Sequence, residues 1–113
     1  MMGATLDKLV KSADFLKEVP RSRLHTGDLV FVKTCNSEYS IHVEGGGLFT
    51  VSGGWFDLRG KSPTRTTIKG CTWGGSVIKV DIIAACGLRI EFGNRLITSP
   101  VQKIFILSRE ATN

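Results

Sequence analysis

Short apolar and polar residues alternate along most of the chain, and glycines punctuate them. The run Leu29 to Thr34 is β-branched and aromatic, and Gly27-Asp28 leads into it as a turn, so a strand is predicted there. Cys35-Asn36-Ser37 supplies the next turn. In Glu38 to Glu44, Tyr39, Ile41 and Val43 share one face, while His42 falls on the polar one. Gly45-Gly46-Gly47 then reverses the chain into Leu48 to Ser52, which predicts an antiparallel meander of three strands. The stretch Gly47 to Phe56 is its centre, ending in the pair Gly53-Gly54 and two aromatics.

Residues 57–67 carry no periodic signal and read as an exposed loop. Thr66 to Trp73 and Ser76 to Ile83 are predicted as strands joined through Gly74-Gly75, and Leu88 to Phe92 alternates with Arg89 and Glu91 outward. Pro100 makes the segment Thr98 to Leu107 either an edge strand or a strand that starts after the proline. Residues 108–113 are expected to fray.

One segment has helical spacing. From Thr5 to Val19 the positions Leu6, Leu9, Val10, Ala13, Phe15 and Leu16 fall mostly at helical spacing, and Pro20 ends the run. This predicted N-terminal helix, residues 1–20, would pack across the body or against a partner subunit. Residues 21–107 then form one β-domain. Six to eight short strands with glycine turns every eight to twelve residues predict a mainly-β fold, a small antiparallel barrel or sandwich, with a closed or nearly closed barrel favoured. Such a barrel fills its interior with its own side chains, so function would lie on loops or at a subunit interface.

Composition narrows the functional classes. With 113 residues the chain has room for a single core, and 42% hydrophobic with 22% charged residues is ordinary for a folded globule. The net charge of +5 favours anionic partners in general terms, but no block of basic residues marks a nucleic-acid tail. Three cysteines, none at CxxC spacing, argue against a disulfide framework and fit a reducing, cytoplasmic setting. Cys71 and Cys86 lie in apolar stretches, where a buried thiol is expected. No basic-then-apolar leader opens the chain, and no apolar run is long enough to span a membrane.

Candidate chemistry is sparse. His25, His42 and the cysteines are too scattered to argue for zinc. Ser52 lacks the glycine of a nucleophile elbow, the acidic residues are spread singly, and the glycine clusters have no phosphate-loop spacing. No enzyme activity and no cofactor are expected. The least ordinary region is 55–73, where Trp55, Phe56 and Trp73 bracket Arg59, Lys61, Arg65 and Lys69. If exposed, those aromatics could stack bases while the cations follow phosphates. If buried, they belong to the core or to a subunit contact beneath a solvated basic loop. Two expectations follow: a non-enzymatic interaction or self-assembly module, a homo-oligomer or bound to a protein partner, and alternatively a nucleic-acid-binding barrel using loop 59–69.

Overall fold

In a computed structural model the described residues are 14–74 and 77–108. They form ten strands: β1 (Asp14–Leu16), β2 (Glu18–Pro20), β3 (Leu29–Thr34), β4 (Glu38–Gly45), β5 (Leu48–Gly53), β6 (Thr64–Thr66), β7 (Ile68–Thr72), β8 (Ile82–Ala85), β9 (Arg89–Phe92) and β10 (Val101–Leu107). One short helix, α1 (Gly54–Leu58), and a 3-10 turn at Arg21–Arg23 complete the regular elements.

Six strands make the main sheet, in the order β1-β10-β3-β4-β5-β6, antiparallel throughout. Alternation sets its two faces. Val30, Val32, Ile41, Val43, Phe49, Val51, Ile104 and Ile106 are buried on one side, and Phe31, Lys33, Ser40, His42, Thr50 and Lys103 stand on the other. The predicted meander of β3, β4 and β5 is present, with Gly46 and Gly47 both at positive φ in its second turn, as a tight two-residue hairpin requires. The mostly-β antiparallel fold is therefore the one the sequence predicts.

Its second layer consists of two separate pairs, β2-β8 and β7-β9. Val19, Ile68, Cys71, Ile83, Ala84, Ile90 and Phe92 join the core from it. The architecture is thus a sandwich and the barrel is not closed. Closure would pair the edge strands β1 and β6, each three residues long. Instead the chain leaves β6 at Thr66 and crosses at Thr67 into β7, whose partner is β9.

Four local expectations are corrected. The predicted helix Thr5–Val19 lies outside the described residues up to position 13, and beyond it the chain is strand: Leu16 pairs with Ile104 and Val19 with Ala84. Helical spacing there coincides with two successive strand pairings of opposite layers, broken at Lys17. Second, the predicted loop 57–67 holds the end of a helix that starts at Gly54 and, at 64–66, a strand. Third, β8 pairs with β2 rather than with β7; only the bridge Cys71–Lys79 survives of the predicted hairpin. Fourth, Cys86 is exposed, its thiol 3.5 Å from the Gln102 carbonyl, whereas Cys71 is buried as expected. β10 begins after Pro100 and lies between β1 and β3. The expected fraying of 108–113 falls outside the described residues except at Ser108, which follows the last strand.

The entry to α1 depends on two glycines. Gly53 has φ +99° and Gly54 φ +44°, and a β-carbon on Gly54 would collide with the Tyr39 ring. Gly54→Ala is expected to lower stability by about 2–4 kcal/mol, combining left-handed strain with overpacking. Gly60 has φ +65° but open space around it, so Gly60→Ala should cost only about 1–2 kcal/mol. Urea denaturation of the two variants checks the difference.

Candidate functional site

The glycine pair turns the two aromatics of α1 in different directions. Phe56 goes fully into the core, edge-on to Phe92 at 5.4 Å and to Tyr39 at 6.2 Å between ring centroids. Trp55 stays half-buried, 5.4 Å from Phe56, and its backbone N–H donates to the Tyr39 hydroxyl at 3.4 Å. The turn after the helix is closed by Arg59 N–H to the Trp55 carbonyl and Lys61 N–H to the Phe56 carbonyl. That closure folds both cations back. The Arg59 guanidinium lies 5.7 Å and the Lys61 ammonium 5.5 Å from the centre of the Trp55 ring, within cation-π range.

The other predicted site residues are elsewhere. Arg65 is on β6, directly opposite Thr50, in a polar row on the outer face of the main sheet. There the Thr50 hydroxyl donates to Glu44 Oε2 at 2.7 Å, and His42 Nδ1 lies 3.0 Å from the same oxygen. The Thr50 hydrogen bond first, then that of His42, with Arg65 adding attraction, holds the Glu44 carboxyl below its ordinary value of 4.5. Lys69 on β7 pairs with Glu91 at 3.5 Å. The basic stretch therefore does not form one patch. Arg59 and Lys61 share Trp55, while Arg65 and Lys69 each face a carboxylate of their own.

Trp73 belongs to a different cluster. It follows β7 in a loop whose base is the paired backbone of Cys71 and Lys79, with N–H to carbonyl distances of 3.2 and 2.7 Å. The residue is 63% exposed, and the Lys79 ammonium sits 4.8 Å from the centre of its ring. Val77 and Val80 in the same loop are 64% and 59% exposed. Sequence patterning singled out Trp73 but passed over Val77 and Val80, because an apolar run beside glycines reads equally as a buried strand.

It also passed over Arg21, which anchors the loop. The Arg21 guanidinium donates from Nε and Nη2 to the Val80 carbonyl at 3.0 and 2.9 Å, and from Nη2 to the Ile68 carbonyl at 2.8 Å. Its backbone N–H bonds the Asp81 carbonyl at 2.7 Å. Charge-assisted donors on two carbonyls fix where the loop leaves the body. No sequence signal could have paired Arg21 with residue 80.

Among the described residues no group of three or more histidines, cysteines and acids converges as a metal site, and no helix is long and apolar enough to cross a membrane. Exposed Cys35 and Cys86 differ from Cys71, whose thiol burial pushes up to about 11. In the native protein, Ellman's reagent at neutral pH should titrate Cys35 and Cys86, and Cys71 only after unfolding. The depressed Glu44 carboxyl has its own consequence: its stabilising contribution is present above pH 4.5 and disappears as the pH falls through its lower folded value. Glu44→Gln should flatten the acid limb of a stability-against-pH curve. Comparison with protein-family models, with curated proteins and with solved structures finds no match to this chain.

Proposed function

We propose that this chain is a non-enzymatic interaction module that self-associates through the loop bearing Trp73, Val77 and Val80. One observation carries the reading: three large apolar side chains are mostly exposed within eight residues of a single loop, on a base clamped by Arg21. Isolated exposed apolar residues are normal, but a group centred on a tryptophan has the composition of an interface hot spot. Burying such side chains contributes roughly 1.5–3 kcal/mol each. Lys79 over the Trp73 ring supplies the polar rim that such contacts carry. A partner copy is the simplest occupant, since an apolar loop tip of this kind is self-complementary about a two-fold axis. The free thiols support a reducing, cytoplasmic setting.

The alternative, nucleic-acid binding through loop 59–69, is supported by the clustering of Arg59 and Lys61 at Trp55. It is the weaker reading because the two cations lie over the ring on which a base would stack, and because Lys69 is paired with Glu91.

Native mass spectrometry and light scattering of the full chain are expected to show a dimer or larger assembly. Trp73→Ser combined with Val77→Ser should weaken association at least about tenfold, with an unchanged circular dichroism spectrum. A wild-type protein that stays monomeric at high micromolar concentration, or a double variant that assembles as well as wild type, would refute self-association through this loop.

A further inference from the structure

The outer face of the main sheet carries an arrangement that neither the loop tip nor the Trp55 cluster uses. Phe31 on β3 and Phe105 on β10 are direct cross-strand neighbours, their rings stacked at 5.0 Å with 17° between planes, and both are partly exposed. Two residues along the same strands, Lys33 and Lys103 also stand directly opposite each other, and both are exposed. Like charges placed opposite across an antiparallel pair repel. Glu38 on β4 stands directly opposite Lys33 on its other side, yet neither ammonium makes an ion pair among the described residues. Sheet pairing therefore holds two repelling cations beside an aromatic stack, and an anion between them would relieve the repulsion.

Beyond the phenylalanines the register continues through Ser40 on β4 and Ser52 on β5, so one row runs Phe105, Phe31, Ser40, Ser52 across four strands. Together these residues line a shallow groove of about 470 Å³, within the range of small-ligand sites. Two carboxylates also line it, Glu38 directly opposite Lys33 and Asp57 on α1, whose carboxylate accepts the Gly53 N–H at 3.1 Å. The groove is thus cationic over β3 and β10, aromatic beside that, and hydroxyl-rich and acidic towards α1.

We infer that this sheet face binds single-stranded nucleic acid, with a base packed against the Phe31–Phe105 stack and the adjoining phosphate between Lys33 and Lys103. The chemistry matches point for point. An unpaired base has an open π-face and edge donors that hydroxyls and carboxylates accept, whereas a paired base in a duplex hides its face. Glu38, opposite Lys33, repels the backbone and so keeps the phosphate on the Lys103 side of Lys33. The net charge of +5 favours the encounter. This assignment is independent of self-association through the Trp73 loop, and it uses residues other than those of loop 59–69.

Fluorescence anisotropy with a labelled oligothymidylate of about ten nucleotides, at roughly 20 mM salt and upward, tests it on the whole 113-residue chain. Binding is expected, with log K falling against log[salt] at a slope of about −0.7 for the one phosphate held between the lysines. Phe31→Leu keeps apolar volume but removes the stacking ring, and should weaken binding about tenfold. Lys33→Ala with Lys103→Ala should remove most of the salt slope. Arg59→Ala with Lys61→Ala serves as the control and should leave affinity within about twofold. Should a substituted protein fail to fold, amide shift mapping on the wild type decides instead, with perturbations expected on β3 and β10. Absence of binding at low salt, competition by inorganic polyphosphate as effective as by the oligonucleotide, or shifts confined to 59–61 would each overturn the assignment.

Discussion

Three aromatic rings hold the two layers together. Tyr39 comes from the main sheet, Phe92 from the second layer and Phe56 from the helix between β5 and β6, with centroids 5.4 to 6.2 Å apart. Two of the contacts are edge-to-face and one is tilted, the arrangements in which ring quadrupoles attract. Because α1 has only five residues, its own hydrogen bonds could not maintain it; burial of Phe56 does. That single side chain fixes the rotation of the helix, which leaves Trp55 half-exposed and directs Arg59 and Lys61 back onto it. The surface chemistry of this turn follows from a buried ring.

The same constraint explains what the sequence made legible. Strands β3, β4, β5 and β9 alternate cleanly because each has one wet face and one dry face, and such strands declare themselves residue by residue. Glycines at the turns mark their ends, and so the mainly-β sandwich was readable. The N-terminal segment misled for a physical reason: Leu16 and Val19 are three apart because the chain changes layers at Lys17, and a change of layer mimics a helical step. Barrel closure was not legible either. It depends on whether two three-residue edge strands meet, which no local pattern records.

The site was less readable than the fold. The tryptophans and cations of 55–73 were identified by type, but their grouping depends on which element each one joins. Trp55 and Trp73 ended in separate clusters because β6 stays in the main sheet while β7 leaves it. Phe31 and Phe105 are 74 positions apart in the chain, and only the register of β3 with β10 makes them neighbours. Cross-strand chemistry of this kind is a property of pairing. A sequence scanned for local motifs does not contain it.

The Arg21 clamp has a bearing on the order in which the molecule assembles. The bond from its guanidinium to the Val80 carbonyl spans 59 residues, so it forms only after the intervening strands have brought both ends together. Until then the segment beyond Cys71 has a single backbone bridge to define it. The direction of the apolar tip thus depends on a contact from a distant part of the chain and not on the loop's own sequence. A chain without that contact would hold Trp73 and the valines in no fixed direction.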